Sequence, residues 1–196
     1  MNKNLFVCLA VLLGLFSVGS LSAQTEAAKP TKAAKPVPGI VGQQAPEWDV
    51  SEWHQLPEGK EDLDISDYKG KVLYLYFFQS WCPGCHSSGF PNLKKLHEKY
   101  KDDPNVEFAV IQSTFEGHSI NTAAKLKPTA KKYDLPIPFG QSSGGGTPAI
   151  MKKYRTGGTP WVVLIDKTGL VQFNGFHLDP KTAIWAIDQL KDRQAV

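Results

Sequence analysis

The chain has 196 residues, of which 41% are hydrophobic and 21% charged, a size and balance that suit one globular domain plus a processed leader. Its net charge of +3 is small. Lys29, Lys32 and Lys35 supply part of it from a tether-like stretch, so the composition excludes a basic face and gives no nucleic-acid partner.

The N-terminus has the layout of a secretory signal peptide. Lys3 makes a positive start, Leu5 to Phe16 is an apolar run, and small residues gather at Ser17, Gly19, Ser20, Ser22 and Ala23. The run is short for a membrane span. The expected division is a signal peptide over 1–23, a flexible Ala/Lys/Pro linker over 24–40 and a folded domain over 41–196. An exported protein, periplasmic or secreted, follows, with an uncleaved anchor as the alternative. Cys8 leaves with the leader, because Phe6-Val7 lacks the small residues of a lipid-attachment site. The mature chain then holds two cysteines, Cys82 and Cys85. A crosslink closing so short a loop removes little entropy from the unfolded chain, so chemistry explains the pair better than stapling.

Residues 47–65 carry Trp48, Val50, Trp53, Leu63 and Ile65 among turn formers and suggest short strands. Lys71 to Phe78 reads as a strand buried on both faces, because its apolar residues do not alternate with polar ones. Phe90, Leu93, Leu96 and Tyr100 recur at helical spacing, and Val106 to Ile111 is a second buried strand. Asn121 to Tyr133 reads as a helix that Pro128 kinks or splits. Gln141 to Thr147 reads as a flexible loop, and Ala149 to Tyr154 as a short helix. Trp161 to Ile165, a turn at Asp166 to Gly169 and Leu170 to Phe176 form a hairpin. Pro180 to Leu190 closes the chain as a helix. This order predicts an α/β fold with a mixed central sheet flanked by helices.

Cys82 stands where a strand ends and a helix begins. Backbone N–H groups at a helix start favour negative charge, and so favour the Cys82 thiolate. Pro83 suits a first helical turn, where its missing N–H has no partner to lose. Cys85 lies one turn in and is expected to be the more buried. An exposed attacking thiolate beside a protected thiol is what exchange through a mixed disulfide requires.

Trp81-Cys82-Pro83-Gly84-Cys85 after an apolar strand, with Gly157-Gly158-Thr159-Pro160 before a later one, resembles the thioredoxin superfamily. Within it, the chain is most similar to extracytoplasmic thiol–disulfide oxidoreductases of the TlpA and ResA type. The resemblance implies a thioredoxin-like fold with an N-terminal strand extension and a helical insertion. It implies an enzyme that reduces protein disulfides, apocytochrome c among the candidate substrates, without a cofactor or metal. It also implies an exported or membrane electron donor. It makes Thr159-Pro160 a cis bond against the cysteines, where Thr159 pairs with an extended substrate chain. Trp81 and Trp161 are candidates to flank that groove, with aromatic packing as the alternative for each.

Two positions depart from the family. Cytoplasmic thioredoxins carry a buried aspartate six residues before the first cysteine, and here that residue is Tyr76. Pro91 falls one residue later than in most relatives, which predicts a bulged or re-kinked helix start. Glu116 stands near the place of a glutamate that faces the active site in ResA-like proteins. His86, four residues after Cys82, shares its helical face. Glu116, His86, Pro83 and Gly84 are thus the groups expected to tune the thiolate, with exposed surface roles as the alternative for Glu116 and His86.

Three other readings use the same residues. Cys82-x-x-Cys85-His86 matches the attachment motif of c-type haem, though a strand leading into it does not suit a small helical cytochrome. A peroxiredoxin-like peroxidase needs a hydroxyl three residues before Cys82, where Gln79 stands. A binding module with an inert disulfide is the non-enzymatic reading.

Overall fold

A computed structural model describes residues 39–193. The expected leader, Cys8 and nearly all of the expected linker lie outside the described residues. Ile40, assigned to the end of that linker, is instead buried in the core, so packing of the domain begins at least one residue earlier than composition indicated.

The apolar run forms β2 (Val72–Phe78), every residue of which is buried. Val72, Tyr74, Tyr76 and Phe78 enter one apolar cluster, whereas Leu73, Leu75 and Phe77 enter another. Side chains alternate faces along a strand, so a strand with a core on each side has no polar positions to alternate. Around β2 stand β1 (Val50–His54), β3 (Val106–Gln112), β4 (Phe139–Ser142), β5 (Trp161–Ile165) and β6 (Val171–Gly175). The sheet order is β1-β4-β3-β2-β5-β6. β2, β3 and β4 run parallel, while β1, β5 and β6 pair antiparallel to their neighbours.

Helices α1 (Phe90–Tyr100), α2 (Leu126–Tyr133) and α4 (Pro180–Lys191) cover the Tyr76 face. Helix α3 (Ala149–Tyr154) packs on the other face beside Trp48 and Tyr68. The expected break near Pro128 takes the form of a 3-10 turn at Ala123–Lys125 leading into α2. Pro128 itself lies in the first turn of α2, where no intrahelical donor is lost. This segment, between β3 and β4, is the helical insertion.

One element corrects the sequence reading. The start of the expected loop at Gln141 belongs to β4, a buried strand that bridges β3 and β1. Gln141 and Ser142 are buried because they hydrogen bond inside the domain. Gln112 Nε2 donates to Gln141 Oε1 (2.6 Å), Gln141 Nε2 to Thr114 Oγ1 (2.9 Å), and the Thr114 amide to Ser142 Oγ (3.1 Å). Satisfied polar side chains can occupy a core position that composition assigns to solvent.

Candidate active site

The site grows from the C-terminal end of β2, where parallel α/β sheets commonly place their ligand crevice. The Phe78 carbonyl accepts from the Ser113 amide (3.0 Å), which ties the end of β2 to the end of β3. The chain then turns through Gln79 to Trp81 and becomes helical at Pro83 and Gly84. Buried partners hold this turn. The Ser80 amide donates to Asn121 Oδ1 (2.7 Å), Gln79 Nε2 donates to the Glu116 carbonyl (3.2 Å), and Ser80 Oγ bonds Gln112 Oε1. The loop bearing the cysteines is therefore fixed to the loop bearing Glu116.

The helix start is bulged, as the position of Pro91 predicts. Cys85–Gly89 is a π-helical segment, and the Phe90 amide bonds the Cys85 carbonyl across five residues before α1 continues. One extra residue is absorbed there without breaking the helix.

Both cysteines are free thiols. Cys82 is 6% exposed and Cys85 is fully buried. The Cys85 amide donates to Cys82 Sγ across 3.2 Å, so a helix-start N–H points at the outer sulfur. Burial pushes the Cys85 thiol up to about 12, and hydrogen bonding to Cys82 adds to the rise. The inner sulfur remains a thiol at neutral pH. Tyr76 stands beneath it: its ring is fully buried and its hydroxyl donates to the Cys85 carbonyl at 3.4 Å.

Cys82 opens into a cleft of about 340 Å³ lined by Trp81, Pro83, Gly84, Phe115, Glu116, Gly158, Thr159 and Phe176. The Thr159-Pro160 bond is cis. Pro160 lies against the helix start, where a Cβ on Gly84 would come within 3.3 Å of its Cδ. Trp81, which also lines the cleft, is half exposed. Glu116 is exposed at the rim, and its backbone carbonyl accepts from both Gln79 and Asn121.

His86 is placed differently from the expectation of a charge on the helix face. Its Nε2 donates to the Ser80 carbonyl (2.7 Å) and its Nδ1 pairs with the Tyr133 hydroxyl (2.7 Å). The ring lies beside Phe90 and Tyr133, 5.7 and 5.8 Å from their centroids, while those two stack on each other at 4.4 Å. It pins the turn to α2. Both ring nitrogens are thus engaged, and full burial of Cys85 leaves no room for a porphyrin thioether, so the packing does not fit c-type haem. Gln79, at the position a peroxidase fills with a hydroxyl, is a buried strut to the Glu116 loop.

Trp161, considered in the sequence as a second groove wall, is buried and donates to Asn174 Oδ1 at 2.6 Å. Phe176 lines the cleft in its place, 53% exposed and packed on Trp161 with ring centroids 4.5 Å apart. It covers Gly157 and Gly158, where any Cβ would approach its ring within 3.2 Å. Sequence reasoning missed Phe176 because it lies just past the edge strand β6, with no periodic signal. The bare Gly157-Gly158 pair was the one hint that a ring lies over that backbone.

Strand, bulged helix start, dithiol and cis proline together define a thioredoxin-like protein with a redox-type site. The family model described as Redoxin matches residues 40–188, and the chain belongs to the redoxin family. It is 32% identical over 131 residues to the thiol-disulfide oxidoreductase ResA of Bacillus thuringiensis subsp. konkukian, covering 67% of this chain and 66% of that one. The match thus spans just under two thirds of that relative's length. Among solved structures, a thioredoxin-like superfamily protein superposes with a TM-score of 0.71 at 29% identity, covering 78% of this chain and 99% of that one. A thiol-disulfide isomerase from Corynebacterium glutamicum does so with a TM-score of 0.66 at 31% identity, covering 76% and 98%.

Proposed function

We propose that the protein is a thiol–disulfide oxidoreductase that reduces protein disulfides outside the cytoplasm through a Cys82–Cys85 cycle. The observation that carries this reading is the pairing of an outer sulfur, supported by the Cys85 amide at 3.2 Å, with a buried inner thiol. The Cys82 thiolate attacks a substrate disulfide, forms a mixed disulfide and releases one substrate thiolate. Cys85 loses its proton and attacks Cys82, which breaks the mixed disulfide and releases the second substrate thiolate. The substrate gains two electrons and the protein becomes a Cys82–Cys85 disulfide.

An extended segment docks along Thr159, in the cleft that Trp81 and Phe176 line. A thiol-bearing donor, exported or in the membrane, returns the dithiol form. Similarity to ResA, named a thiol-disulfide oxidoreductase, supports the chemistry. The resemblance to the TlpA group supports the reducing direction and makes apocytochrome c a candidate substrate. The signal-like N-terminus supports export, which a mature chain beginning at Ala23 or Gln24 in the extracytoplasmic fraction tests.

Insulin-disulfide reduction with dithiothreitol tests the activity. Turnover is expected for the parent, none for Cys82→Ser, and an accumulating mixed disulfide for Cys85→Ser. No turnover by the parent overturns the reading. Equilibration with glutathione tests the direction, and a potential above about −180 mV overturns the reducing assignment.

A further inference from the structure

Burial of Cys85 creates a problem for the second step. The inner thiol must lose its proton to attack, yet a sulfur anion in an apolar core is disfavoured. Two groups favour that anion, the Gln79 backbone and the Tyr76 side chain, and of these Tyr76 is the one a substitution can remove. Its hydroxyl donates to the Cys85 carbonyl at 3.4 Å, and the same hydroxyl acts to lower the raised Cys85 thiol.

The local backbone is shaped around that hydroxyl. A Cβ on Gly89 would fall 1.9 Å from the Tyr76 oxygen and 2.7 Å from the ring carbon that bears it. Only glycine lets the ring pass, and Gly89 is the last residue of the π-helical segment that begins at Cys85. π-Bulges are rare and concentrate at functional sites.

A narrow cleft of about 10 Å³, lined by Tyr76, Gly89, Asn92, Pro160 and His177 among others, lies beside the same ring. That is close to the smallest volume that admits one water. The titratable groups around Tyr76 are Cys82, Cys85 and Tyr74, with His177 lining the cleft. Burial raises Tyr76 as well, so at neutral pH it keeps its proton and acts as a donor.

We propose that Tyr76 is the positioning residue of the resolving step, its hydroxyl donating a hydrogen bond to the Cys85 sulfur as that sulfur loses its proton. The proton leaves to bulk solvent. The balance is Cys85–SH plus the Cys82–S–S–substrate bond, giving the Cys82–S–S–Cys85 bond, a substrate thiolate and a proton. Tyr76 supports the anion in transit and is itself unchanged. This assignment rests on the dithiol cycle proposed above.

The test mixes the full reduced protein with 5,5′-dithiobis(2-nitrobenzoate) and follows released thionitrobenzoate by stopped flow. The first equivalent reports attack by Cys82, and the second reports resolution by Cys85. In Tyr76→Phe the second phase is expected to slow about tenfold, the cost of one hydrogen bond to a charged group, with the first phase unchanged. A second phase that keeps its rate overturns the assignment, as does equal slowing of both phases, which marks a packing defect. Heavy water applied to the parent should slow the second phase more than the first, and equal effects count against the assignment. If the parent releases only one equivalent, the dithiol cycle fails and this proposal with it. Two equivalents with unaltered phases in the variant overturn the Tyr76 role alone.

Discussion

The amide of Cys85 points at the sulfur of Cys82 from 3.2 Å, so the inner cysteine supports the outer one through its backbone while its own thiol stays buried. One turn of helix thus gives two chemically identical residues opposite roles. Cys82 meets the cleft, whereas burial holds Cys85 as a thiol up to about 12.

That asymmetry predicts the order of alkylation. Reduced, folded protein treated with iodoacetamide at about pH 8 should gain a single adduct at Cys82, because only an accessible thiolate reacts. Cys85 should label only after denaturation. Peptide mapping by mass spectrometry distinguishes the two, and comparable labelling of Cys85 in the folded state would show that its burial is transient.

Gly89 and Tyr76 form a second coupled pair. Gly89→Ala places a methyl 1.9 Å from the Tyr76 oxygen, and a fully buried ring has nowhere to retreat. Overpacking of this kind costs about 1–3 kcal/mol, to be read as a lower urea midpoint. Tyr76→Phe in the same chain should restore only part of the loss, since the ring carbon stays 2.7 Å from the new methyl. Complete restoration would mean that the hydroxyl alone sets the fit.

Much of this arrangement was legible in the residues. The unbroken apolar run at β2 implied a strand with a core on each side, and the hairpin at Asp166 to Gly169 carried its own turn chemistry. Pro91, displaced by one position, announced the bulge at Cys85–Gly89. β4 was not legible, since Phe139–Ser142 is only four residues long and half polar. Its strand character comes from neighbours on both sides and from Gln112, whose amide reaches Gln141. His86 was misjudged for a similar reason. Its spacing from Cys82 was readable, but the Tyr133 hydroxyl and Ser80 carbonyl that engage its ring come from elsewhere in the fold.

Phe176 should govern substrate capture rather than thiol chemistry. It lines the cleft together with Trp81 and packs on Trp161. Phe176→Ala removes apolar contact area at the groove, so KM for a disulfide-bonded protein substrate should rise about threefold to tenfold while kcat changes little. Steady-state insulin reduction separates the two parameters, and the iodoacetamide rate at Cys82 should match the parent. A drop in kcat alone would place Phe176 in the chemical step instead.

The pH dependence of stability should centre on Asp103 and Lys191, which join the segment after α1 to the end of α4 at 2.8 Å. The Lys191 ammonium and the Asn105 amide hold the Asp103 carboxyl down at about 2, against an ordinary value of 3.8. A depressed carboxyl contributes stability above its unfolded value and loses it as pH falls through the folded one. Asp103 in turn raises Lys191 above 10.5, so that contribution is present below 10.5 and is lost as pH rises past it. The pair therefore stabilises between about pH 4 and pH 10. Both side chains are a fifth to a quarter exposed, and solvent screening limits the gain to about 1 kcal/mol. Asp103→Asn keeps the shape and the bond from the Asn105 amide but removes the charge. Its urea midpoint should fall below the parent's at pH 7, and the two should converge as the pH approaches 2. A gap that persists at pH 2 would assign the effect to packing between α1 and α4 rather than to charge.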